Sequence, residues 1–177
     1  KSYIEASSKA INEVVWEEGK TIEFLLVDAM KSEFLADTIL QNFYKHLELG
    51  SIVYHQDFCH FHEPWIHLIH FKFKNHFKFV CHVEDSPSVV FQLIRKIEPE
   101  RLHEGFSLMD FSTEQIEDSF SYSASLIKEE PAKQNVLAAK IYCLFACHFF
   151  ENAEAVLSQV VNSYNFIECG NLEFVIK

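Results

Sequence analysis

Glycine is scarce in this chain. Its 177 residues include only Gly19, Gly50, Gly105 and Gly170. None falls in a G-x-G-x-x-G, G-x-x-x-x-G-K-[ST] or G-x-S-x-G pattern, so phosphate-cradling loops and the nucleophile elbow of α/β-hydrolases are excluded. Proline is equally rare, at four residues, and no Gly/Ser-rich linker divides the sequence. We therefore read residues 1–177 as one domain, long enough to bury a substantial core. No apolar run reaches the roughly 18–20 residues that span a bilayer. No signal-peptide core follows Lys1. Basic residues are few: 15 Lys and Arg against 26 Asp and Glu give a net charge of −11. Nucleic-acid binding needs clustered cations to displace counterions, so that partner class is not expected.

Cysteine is present but unpatterned. Cys59, Cys81, Cys143, Cys147 and Cys169 are odd in number and contain no C-x-x-C. Small buried hydrophobes in a reducing, cytoplasmic setting explain them best. Cys143 and Cys147, four apart, share one face of an expected helix.

What the chain does have is apolar bulk: 49% hydrophobic residues and 18 Phe. Such a composition cannot stay disordered. The periodicity points to an α+β fold, a small antiparallel sheet packed with N-terminal and C-terminal helices. Ser2-Tyr3-Ile4-Glu5 reads as a capping box. Residues 21–27 fit either a helix, through Ile22, Leu25, Leu26, Ala29 and Met30, or a strand, through Ile22, Phe24 and Leu26; the helix is preferred. Ser32 caps a helix carrying Leu35, Ile39, Leu40, Phe43 and Leu47, with Gly50 as its stop. Between residues 65 and 83 the period shortens to two. Phe71, Phe73, Phe77 and Phe79 fall on one face and Lys72 and Lys78 on the other, as in a hairpin turning at Lys74-Asn75-His76. A neighbouring strand is expected near 52–61. Ser86-Pro87 reads as the start of a helix carrying Val90, Phe91, Leu93 and Ile94. Ser112 with Gln115 forms a second capping box. Glu130-Pro131 opens a helix running to about Phe149, and Asn152 caps another over 153–164. A last strand is placed at 171–176.

Seven of the ten histidines lie between residues 55 and 82. In the hairpin register, His70 and His82 are diagonal neighbours on the outer face, and His60 and His62 share a strand face. A shared zinc ion is the sharp reading of that set. Histidine serving as a moderately polar strand residue is the plain one. The segment has no H-E-x-x-H, and its Cys59-x-His-x-His spacing matches no structural zinc site. No metal and no other cofactor is assigned, and no stoichiometric zinc is expected at His60, His62, His70 and His82. A pH-responsive surface is a third reading.

With no catalytic motif, the chain reads as a non-enzymatic protein-binding module, an adaptor or chaperone-like protein. Its size and acidity resemble those of small subunits of bacterial secretion systems and other multiprotein complexes, an analogy of composition alone. Phe145, Phe149 and Phe150 surround more of their helix than one neighbour can bury, so they are the candidate partner-binding aromatics. Glu114, Glu117, Asp118, Glu129 and Glu130 belong to the densest acidic stretch, where residues 98–130 carry nine acids and two bases. They would steer a basic or amphipathic partner segment. The partner is another protein, with no nucleic acid and no membrane insertion. The alternative reading is a metal-binding protein or metal-dependent enzyme built on the histidine-rich hairpin.

Overall fold

The computed structural model describes residues 11–163 apart from Val15 and Ala29, and for Asn12 and residues 161–163 the backbone alone. The expected capping box at Ser2 and the strand at 171–176 lie outside the described residues. Four strands form one mixed sheet: β1 (Ile22–Val27), β2 (Leu47–His55), β3 (Phe77–His82) and β4 (Val89–Leu93), in the order β1-β2-β4-β3. Six α-helices accompany it among the described residues: α1 (Glu33–Asn42), α2 (Pro64–Lys72), α3 (Pro99–Leu102), α4 (Thr113–Leu126), α5 (Glu130–Ala146) and α6 (Phe150–Ser163). The α+β class is therefore as expected, but several elements differ from the sequence reading.

The sheet is mixed rather than antiparallel. β1 pairs with β2 in parallel, Val27 opposite His55, while β4 runs antiparallel to both β2 and β3. A parallel pair needs a long crossover, and α1 supplies it. Residues 22–27 form a strand and not the preferred helix: Ile22 and Val27 are buried, Leu25 is half-buried, and Phe24 and Leu26 are exposed on the opposite face, the register slipping between Ile22 and Phe24. Ser32 does cap α1, its hydroxyl accepting from Leu35 N–H at 3.2 Å. The helix ends at Asn42, however, and Gly50 is no helix stop. Gly50 lies inside β2 with φ at +93°, where the register against β1 slips between Ile22 and Phe24. Ser51 Oγ closes that irregularity by accepting from Glu48 N–H and donating to the Ile22 carbonyl.

The largest correction concerns residues 64–72, which form a helix and not the first arm of a hairpin. Pro64 through His70 are all buried on α2. A helix covered on every side shows no amphipathic stripe, so its period is hidden in the sequence. On one side, the His70 ring stacks on Phe91 of β4, centroids 3.9 Å apart. On the other, His67 meets Phe120 of α4 at 4.7 Å. The order of layers is thus sheet, α2, then α4. The expected burial of the four Phe holds for Phe73 and Phe77, while Phe71 and Phe79 are half-buried. Lys78 is exposed as expected, but Lys72 is half-buried. The real hairpin is β3–β4, and the strand near 52–61 is β2, which stops at His55. Residues 89–93 alternate buried and half-buried and are β4, so Ser86-Pro87 lies in the turn between β3 and β4 rather than at a helix start.

The C-terminal helices follow the local signals closely. Ser112 and Gln115 cap α4 reciprocally. α5 starts at Glu130-Pro131 but ends earlier than expected. His148 adopts φ +61°, its N–H bonding Phe145 O at 3.0 Å, and Phe149 N–H bonds Leu144 O at 2.9 Å. This pair of bonds is a Schellman motif with histidine at the left-handed position. α6 then begins at Phe150, so Asn152 lies within its first turn and does not cap it, and the helix starts earlier than the expected 153.

Candidate functional site

Two features stand out, at different places on the sheet. The first is at the carboxyl ends of the parallel strands. β1 and β2 terminate side by side, Gln56 N–H bonding the Val27 carbonyl at 3.0 Å. In open α/β sheets this end of a parallel pair is where ligands bind. The segments leaving it carry Asp28 and Lys31 after β1, and Asp57, His60, His62 and Glu63 after β2. Lys31 Nζ lies 3.1 Å from Asp57 and 3.4 Å from Asp28. The hydrogen bond to Asp57 is the main reason the Lys31 ammonium is held above its ordinary pKa.

His60, His62 and Glu63 each offer a ligand atom, all within 4.8 Å of one another. The two Nδ1 atoms are 2.7 Å apart, so one ring N–H donates to the other ring's lone pair. Phe61 stacks on both rings, at 4.7 Å from His60 and 4.5 Å from His62. The edge of Tyr142 on α5 approaches His62 at 6.3 Å. Glu63, just before Pro64, is only 3% exposed, and its Oε2 has no hydrogen-bond partner. Burial, reinforced by Asp57, pushes its carboxyl up to about 8. Burial lowers both His60 and His62, and for His62 the neighbouring His60 adds to the effect.

The four-histidine set that the sequence suggested is not assembled. His60 and His62 are together, but His70 is inside the core and His82 is elsewhere. The His82 ring nitrogens face the Ser86 carbonyl at 2.8 Å and Glu129 at 3.3 Å. Because residue 70 is on a helix, the expected diagonal contact between His70 and His82 does not exist. His55, His67 and His70 instead form a fully buried group around Phe58. Among their six ring nitrogens, one has a partner: His55 Nε2, 3.1 Å from the Tyr44 hydroxyl. Burial drives His55 and His67 down to about 3 and His70 well below its ordinary value. These three are neutral core residues and form no part of a pH-responsive surface. Cys59, Cys143 and Cys147 are buried, Cys81 is exposed, and Cys169 lies outside the described residues.

The second feature is the sheet face turned away from α2. Phe24 and Leu26 of β1 are 57% and 54% exposed. Their partners Ile52 and Tyr54, and Val90 beyond them, are half-buried on the same face. β1 is also an edge of the sheet among the described residues. The other edge, β3, carries exposed Lys78 and a bulge between Phe79 and Cys81, and β1 likewise carries exposed Glu23 and a register slip between Ile22 and Phe24; what separates the two edges is the exposed apolar surface. β1 carries the exposed pair Phe24 and Leu26, where β3 carries Lys78 beside a single exposed Val80.

The sequence-designated aromatics divide. Phe145 is 62% exposed and Phe150 50%, their rings 5.1 Å apart. Phe149 packs half-buried against the core, because the turn at His148 takes it off the face of Phe145. Among the acids, Glu117 pairs with Lys140, Glu129 with His82 and Glu130 with Lys133. Glu114 and Asp118 are exposed on α4. The missed residues, Phe24 and Leu26, were signalled by the alternation in 22–27. Glu63 was signalled by its place beside His62 in His60-x-His62-Glu63.

Among the described residues, no helix is long and apolar enough to cross a membrane. Comparison with known protein families, with curated proteins and with solved structures finds no match to this chain.

Proposed function

We propose that the chain is a non-enzymatic protein-binding module whose docking element is the β1 edge, unpaired among the described residues, together with the exposed apolar residues Phe24 and Leu26 on the sheet face turned away from α2. The observation that carries this reading is the pair Phe24 and Leu26, each more than half exposed on an edge strand. Exposed apolar side chains and unpaired strand hydrogen-bonding groups side by side are what strand addition uses. Main-chain bonds supply affinity, and pockets for alternate side chains supply specificity. The occupant is an extended segment of another protein with apolar residues at alternate positions. Glu18, Glu23 on β1 and Glu48 on the neighbouring β2 are exposed, which favours basic residues flanking that segment. The chain's net charge of −11 supports the same preference and gives association a salt dependence.

The smaller aromatic pair Phe145 and Phe150 is a second apolar patch at the α5–α6 turn and the natural competitor for the role. A photo-reactive phenylalanine analogue placed at residue 24 in the native cell tests the assignment. A discrete adduct with another protein, lost on Leu26→Glu while the fold survives, supports it. Adducts that form only from residue 145 would move the docking element to the helical corner.

A further inference from the structure

We infer that His60, His62 and Glu63 form a binding site for a divalent transition-metal ion, of which Zn2+ is the best match. The argument rests on donor type, position and an unmet valence. Two imidazole nitrogens and one carboxylate are the donor set of open zinc sites, in which water takes the remaining position. Nitrogen donors favour Zn2+ and its d-block neighbours over the hard ions Mg2+ and Ca2+. The three ligand atoms lie within 4.8 Å of one another. The two Nδ1 atoms, at 2.7 Å, are about 0.6–0.7 Å closer than two nitrogens on a tetrahedral ion with bonds of about 2.0–2.1 Å. A small rotation of either ring opens that gap.

Glu63 is the decisive residue. A carboxylate this deeply covered, with Oε2 lacking any hydrogen-bond partner, is expensive unless a cation completes it. Lys31 does not serve, because its ammonium is engaged with Asp57 and Asp28. The imidazoles are already restrained by stacking on Phe61, so little ordering is left for the metal to impose. His60 and His62 are partly exposed, whereas Glu63 is buried. The ion would therefore be anchored from below and open to solvent above. The site lies at the carboxyl ends of β1 and β2, and it shares no residue with the docking pair Phe24 and Leu26, so each assignment can fail without the other.

The test is calorimetric titration of the full chain with Zn2+ alone, beside optical titration with Co2+. One equivalent is expected, with the visible bands of a four- or five-coordinate cobalt site. His62→Ala and Glu63→Gln should each weaken Zn2+ by at least about tenfold, as loss of a ligand does at least as much as loss of the groups that orient one. His103→Ala, an exposed histidine outside the site, should change nothing. Should the ligand variants fail to fold, ring-nitrogen NMR of the wild-type chain decides: Zn2+ must shift Nδ1 of His60 and His62. The inference is overturned by absence of stoichiometric uptake, by uptake unchanged in His60→Ala/His62→Ala, or by shifts confined to other histidines.

Discussion

Replacing His67 by leucine should stabilise the protein, and more so in acid. His67 lies on the central helix between Phe58 at 4.8 Å and Phe120 at 4.7 Å, fully buried, with neither ring nitrogen bonded. An unsatisfied buried polar group costs about 1–3 kcal/mol, so an apolar side chain of similar volume relieves at least about 1 kcal/mol near neutral pH. The acid effect follows from linkage. The unfolded chain takes up a proton on this imidazole near 6.5, whereas the folded chain resists protonation down to about 3, chiefly because of burial. The unfolded state thus binds more protons below about 6.5. The stability that neutrality preserves is present above that value and is lost as pH falls. Each pH unit below 6.5 costs about 1.4 kcal/mol per such histidine, or about 2 kcal/mol between pH 7 and pH 5. His55 adds a similar loss, and His70 acts in the same direction. Glu63 works oppositely. Its raised value makes a contribution that is full below about 4.5 and lost as pH rises through about 8. It is common to both proteins and cancels in their difference. Urea unfolding followed by tryptophan fluorescence, at pH 7 and pH 5, measures the gap. The variant should lead by about 1 kcal/mol or more at pH 7, and the lead should grow by about 2 kcal/mol at pH 5. A lead that does not change with pH would refute the reasoning, because it would mean that His67 is solvated or protonates in the folded state.

The left-handed His148 offers a second test: His148→Gly should raise stability by up to about 1 kcal/mol in thermal unfolding, since glycine fits φ +61° without strain. Phe91 is fully buried and touches Phe58, Phe77, Phe79 and His70, so Phe91→Ala should cost roughly 3–5 kcal/mol in urea unfolding. Phe79→Ala should cost clearly less, because Phe79 is half-buried.

What the sequence revealed depended on how local each signal was. Ser32, the Ser112–Gln115 box and Glu130-Pro131 start helices through bonds within a few residues, and all three starts are where they were read. α2 was illegible because Pro64 to His70 are covered by the sheet on one side and α4 on the other, which erases the polar face that defines a helical period. β4 reads as helical in sequence because its half-buried face still carries Val90, so the alternation is weak. The early end of α5 depends on a histidine in a conformation that glycine normally marks. The same limits applied to the sites. His60 and His62 were visible as a pair, but their third member belongs to the start of a helix that the sequence hid. A helical reading of 22–27 hides Phe24 and Leu26 as an exposed strand face.

The central claim is that the β1 edge, with Phe24 and Leu26, takes a partner segment. The most direct measurement places the photo-reactive phenylalanine at residue 24 in one protein and at residue 145 in another, in the native cell, and maps the adducts by mass spectrometry. The account predicts a discrete adduct from residue 24 to an extended, apolar-alternating segment of another protein, abolished by Leu26→Glu in a chain whose circular dichroism and melting are unchanged. No intermolecular adduct from residue 24, or an equal adduct in the Leu26→Glu chain, would contradict it.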